Sequence, residues 1–258
     1  MDGTPHCGCT DHPHGDLGKL GRWLCVPLES SPMNPYAVWL YGSESRGDAS
    51  PSSDVDILMI GEGSLPPQVS CSFQGRRISV SRYGWAEVGR MAGYGSLFLH
   101  HLRAEARVLH ESPTAAGRLR AILNDLPHYQ RAHRDVRAFR QSLLDISAEL
   151  PDPPDLEFEL STLAALIRRI GILGSYLLGR PRFDRIGPVT QVVEAWKLPD
   201  VFSSEFPEFY WHRLVAERAE SVTTPPNAAA LALWIERAGL MLDRLEVQAH
   251  ESCRLVRH

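Results

Sequence analysis

The chain has 258 residues, 43% of them hydrophobic and 22% charged, a globular composition that excludes disorder over most of its length. A formal net charge of -4 excludes a generally basic nucleic-acid binder while leaving room for a local basic face. The five cysteines do not pair into an even disulfide framework, and no apolar run approaches the roughly 20 residues of a membrane span, so a reducing cytoplasm and no membrane are expected.

The opening MDGTPHCGCTDHPHG lacks the positive flank and apolar core of a secretion signal. Its His6, Cys7, Cys9, His12 and His14 are zinc-type ligands, but two ligands one residue apart strain a tetrahedral site, and a polar arm is the simpler reading. Leu17 to Leu28 reads as one short helix, ended at Pro27. AVWLY at 37–41 and VDILMI at 55–60 read as buried strands, since each is short, apolar and followed at once by glycine. Gln68 to Phe73 and Arg77 to Tyr83 read as the arms of a hairpin around Gln74-Gly75. Ser96 to Val108 carries apolar residues at helical spacing, so this half is expected to end in a helix and a short strand. From Pro113 onward long helical patterns dominate: 115–150, 156–178, 189–196 and 227–254, punctuated by PDPPD and TTPPN. The expected fold is therefore α+β. An arm and short helix at 1–34 precede a small mixed-sheet domain at 35–112 and an all-helical bundle at 113–258.

The chemistry concentrates in LYGSESRGDASPSSDVDILMIG, residues 40–61. Gly42 lets the backbone approach a ligand closely, and Ser43 adds a hydroxyl aimed the same way, a pairing that suits a phosphate. Arg46 follows about one helical turn later. Asp54 and Asp56 are separated by one residue on a strand, so both carboxylates emerge on one face. Carboxylates held that close repel unless a divalent cation lies between them, and their hard oxygens suit Mg²⁺ or Mn²⁺.

Gly42-Ser43, Arg46-Gly47 and Ser53-Asp54-Val55-Asp56, with five residues between Gly47 and Ser53, resemble the signature of the DNA polymerase β-type nucleotidyltransferase superfamily. That resemblance implies that Gly42, Ser43, Arg46 and Ser53 bind a nucleoside triphosphate, with Asp54 and Asp56 as catalytic metal ligands. It also implies a third carboxylate on a later strand, where this chain reads RRISVSRY with serines at 79 and 81. A serine hydroxyl is a poor metal ligand and no base at neutral pH. Substitute acids are Glu87, Glu105, Glu157 and Glu159, each of which also reads as a solvated glutamate. The first expectation is a Mg²⁺-dependent enzyme moving NMP from an NTP, such as ATP, to a small hydroxyl compound, a protein or an RNA. The alternative is a catalytically silent nucleotide-binding or interaction protein, antitoxin-like or part of a defence system. Arg131, Arg134, Arg137 and Arg140 spread over about half a helix circumference, which fits a solvated face better than an RNA track.

Overall fold

The computed structural model describes residues 36–50, 53–150, 155–218 and 227–255. The short helix at 17–28 and the His/Cys arm lie outside these residues. The described residues fall in one compact unit, Asn34–His258.

Four strands form one mixed sheet: β1 (Ala37–Tyr41), β2 (Val55–Ile60), β3 (Ile78–Tyr83) and β4 (Arg107–Glu111), in the order β3-β2-β1-β4. β1 pairs antiparallel with both β2 and β4, whereas β2 and β3 run parallel. Between β1 and β2 lies α1 (Gly42–Arg46). The segment expected to be a hairpin is not one. A hairpin joins antiparallel strands, and 67–72 is instead the helix α2 (Pro67–Ser72), the crossover that a parallel β2–β3 pair requires. Pro67 at its first turn gives up no helical hydrogen bond, so the proline-led start favours this outcome.

Alternation along the strands sorts the sheet into two faces. Ala37, Trp39, Leu58 and Ile60 pack against α3 (Trp85–Gly93), α4 (Leu97–Glu105) and α5 (Arg118–Asn124) through Val88, Leu99, Leu102, Leu119 and Leu123. Val38, Leu40, Val55, Ile57 and Met59 pack on the other face with Val69 of α2.

The remaining described helices are α6 (Ala132–Glu149), α7 (Leu156–Leu177), α8 (Gly187–Ala195), α9 (Val201–Arg218) and α10 (Ala228–Leu255). The pattern read as one helix over 115–150 is two, because Pro127 cannot continue a helix and biases its predecessor away from it. α7 begins with the Asp155 carboxylate accepting the Phe158 N–H at 3.0 Å. By length and composition α7 is apolar enough to cross a membrane, yet most of it is buried among α6, α8, α9 and α10 as the centre of the helical core. Arg140 of the arginine series bonds Asp243 and Glu246, and Arg131 lies 3.5 Å over the Tyr94 ring. Two of the four arginines are thus engaged within the chain.

Candidate functional site

Asp56 pairs with Tyr41 on one side and with Ser79 on the other, at the end of the sheet where β1 turns into α1. The turn itself is at Gly42, whose φ of +74° favours glycine. A Cβ on Gly42 would stand 2.3 Å from Asp56 Oδ2, so only glycine lets the backbone and that carboxylate approach so closely. Ser43 follows, and its carbonyl oxygen accepts the Gly47 and Asp48 N–H groups.

Burial, and next the negative charge of Asp54, push the Asp56 carboxyl up from the ordinary range, against the opposing charges of His101, Arg185 and Arg46. Asp54 accepts two hydrogen bonds from Arg77, at 2.6 Å from Nε and 2.7 Å from Nη2. The Arg77 side chain is 57% exposed, so this fork lies largely in water and holds the carboxylate only lightly. Ser53 is buried, its hydroxyl bonded to the Ser50 N–H at 3.0 Å and to the Ser50 hydroxyl at 2.9 Å. Its carbonyl oxygen accepts from Arg76, which also pairs with Glu44 of α1.

Glu105, at the end of α4, accepts the Gly42 N–H at 2.8 Å and takes Arg46 Nη1 on both of its oxygens, at 2.9 and 2.8 Å. His101, one turn earlier, bonds the same carboxylate. Burial alone would push Glu105 up, but the hydrogen bonds and charges of His101 and Arg46 outweigh it and hold the group below the usual carboxylate range. Arg46 is further bridged to Asp48.

On β3, Ser79 is exposed beside Asp56, while the Ser81 hydroxyl is 2.9 Å from the Tyr41 hydroxyl. Burial and the neighbouring Asp56 charge push the Tyr41 phenol up despite that bond. Among the described residues no group of three or more His, Cys, Asp or Glu side chains is arranged to hold a metal. Two carboxylates with hard oxygens nonetheless fit a divalent cation whose remaining ligands come from phosphate.

Of the substitute acids, only Glu105 touches the Gly42 turn. Glu159 feels Glu149 and Asp155, at the start of α7. Along a straight helix it stands about 25 Å from Tyr176, at the end of α7 that meets α4 through His100. Glu87 lies in the first turn of α3.

Residues 28–82 match the family model described as the nucleotidyltransferase domain. The matched stretch is similar to the polymerase β-like superfamily and is followed by helices. No curated protein matches the chain. The nucleotidyltransferase match supports nucleotidyl transfer as the general activity and an NTP as the substrate class, and such domains commonly use divalent metals.

Several residues around the nucleotidyltransferase-like motif escaped the sequence reading. His101 stands four residues before Glu105, already named as a substitute acid, on one helix face, a spacing that signals a pair. Arg77 precedes Ser79 by two and so shares its strand face, which a parallel register carries to Asp54. Phe183 and Arg185 of the α7–α8 connection reach this site with no local signal at all. Phe183 stacks on His101 at 4.6 Å, and the charge of Arg185 acts on Asp56.

Proposed function

We propose that the chain is a Mg²⁺- or Mn²⁺-dependent nucleotidyltransferase, with residues 35–112 binding the NTP and residues 113–258 binding the acceptor. The observation that carries this is the approach of the Gly42 backbone to Asp56, the residue pair that the matched domain would use to set phosphates beside carboxylates. Asp54 and Asp56 would hold the metal, which when bound neutralises phosphate charge and polarises the α-phosphorus. Gly42 and Ser43 would receive the triphosphate, with Arg46 adding positive field and Ser53 shaping the turn that presents Asp54.

In the transfer an acceptor oxygen forms a bond to the α-phosphorus, the bond from that phosphorus to the β-phosphate oxygen breaks, and pyrophosphate leaves. The acceptor hydroxyl proton passes to solvent or to a base on the acceptor itself, since β3 offers serine where an acid would stand. Arg77 must release Asp54 for both of its oxygens to face a cation, a small cost for a pair this exposed.

A second reading, a nucleotide-binding protein that does not transfer, is favoured by one observation: Ser79 is the β3 residue in register with Asp56. Incubating the protein with each α-³²P-NTP, Mg²⁺ or Mn²⁺, and RNA, protein or pooled metabolites separates the two. Label moving to an acceptor, lost in Asp56→Asn, supports transfer. Metal-dependent NTP binding without any labelled product supports the silent reading.

A further inference from the structure

The connection between α7 and α8 is held more firmly than a surface loop needs. Arg168, half-buried in the middle of α7, donates from Nη2 to the Phe183 carbonyl oxygen at 2.6 Å and from Nε to that of Asp184 at 3.3 Å. Burial pushes this guanidinium below the ordinary arginine value, and the positive charges of Arg46 and Arg185 act on it in the same direction. Withdrawing a guanidinium from water without a carboxylate on its nitrogens is costly, so its use here is to fix two carbonyls.

Asp184 completes the clamp. Its Oδ1 accepts the Gly187 N–H at 2.5 Å and the Ile186 N–H at 3.3 Å, and its Oδ2 accepts Arg182 Nε at 2.9 Å. Phe183 is buried against His101, which bonds the carboxylate seated on the Gly42 N–H. The backbone on the N-terminal side of Arg185 is therefore immobilised against the Gly42–Asp56 corner. Among the described residues the Arg185 guanidinium itself makes no hydrogen bond or ion pair. The charge of Arg185 acts on both Asp56 and Arg168, as does that of Arg46, which Glu105 bridges.

We propose that Arg185 binds the polyphosphate tail of the nucleotide, and that Arg168 is the residue that positions it. The proposal rests on the nucleotide-binding reading above and goes beyond it by assigning a phosphate contact to the helical half. A polyanion between Gly42 and Arg185 relieves the repulsion among the three guanidiniums, and a planar guanidinium can grip two phosphate oxygens at once. The tail then bridges the fixed α7–α8 connection and the sheet corner that carries Asp54 and Asp56.

Calorimetric titration of the full chain in Mg²⁺ with inorganic tripolyphosphate, each NTP and each NMP tests this. Arg185→Ala is expected to weaken tripolyphosphate and NTP binding about tenfold or more and to leave NMP binding unchanged, with Arg185→Lys in between. Arg168→Gln should give the same split between tripolyphosphate and NMP, which a general loss of folding would not. Wild-type affinity for tripolyphosphate in Arg185→Ala, alongside lost NTP binding in Asp54→Asn/Asp56→Asn, overturns the Arg185 assignment and leaves the nucleotide site standing. No binding of any NTP to the wild type overturns both.

Discussion

With 9% of its side chain exposed, Glu105 gathers one backbone N–H, one guanidinium and one imidazole around a single carboxylate. Its charge is compensated on three sides, which is why its proton affinity falls although burial acts the other way. A carboxyl whose folded pKa lies below the unfolded value contributes stability that is present above the unfolded value, 4.5, and is lost as pH falls through the folded one. Glu105→Gln is therefore expected to cost about 2–3 kcal/mol at pH 7, with the gap to wild type closing below about pH 4.5. Urea denaturation of both proteins from pH 7 to pH 3 measures it, and a gap that stays constant over that range would contradict it. Glu105 is visible in the sequence as an acid on a helix, but its partners at 42 and 46 are set by how α4 lies across the sheet. Nothing local to RAEARV distinguishes it from a solvated glutamate.

β3 shows the same boundary at the level of elements. β1 and β2 follow from sequence because each is a short apolar run closed by glycine, and their ends coincide with the observed ones. QVSCSF carries strand-like alternation, and the parallel direction of β3 becomes visible only once β2 is placed beside it, so the intervening helix is read as a strand. α9 is hidden for another reason: Pro207 sits inside it, and its apolar residues do not keep to one helical face. The register of β3 nevertheless makes a definite statement about chemistry. Ser79→Asp adds a third carboxylate beside Asp56, and in metal-free buffer the like charges should lower stability by up to about 1 kcal/mol. Mg²⁺ should then raise the melting temperature of the variant more than that of wild type. Ser81→Asp is the control, because it breaks the Tyr41 hydroxyl contact and should gain nothing from metal. An equal Mg²⁺ response in wild type and Ser79→Asp would mean that β3 does not face the cation.

At the scale of the whole molecule, two cores meet along an aromatic seam. His100 Nε2 lies 3.1 Å from the Pro127 carbonyl oxygen and 3.2 Å from the Tyr176 hydroxyl, the Tyr129 N–H donates to that hydroxyl at 2.9 Å, and Phe183 covers His101. α4 thus serves both halves, packing Leu99 and Leu102 under the sheet and turning His100 and His101 toward the helices. The order of a mixed sheet followed by helices can be read from pattern periodicity, but this seam joins residues 76 or more apart in places and has no periodicity to betray it. The proposed activity rests on the Gly42–Asp56 corner, which this seam adjoins through His101 and Glu105. Isothermal titration calorimetry of an NTP, with and without Mg²⁺, on wild type and on Asp54→Asn/Asp56→Asn tests that most directly. Wild type should bind the NTP at least about tenfold more tightly with Mg²⁺ than without it, and the double variant should stay folded and lose that increment. Equal NTP affinity in the two proteins, with or without metal, would contradict a carboxylate-held cation at this corner.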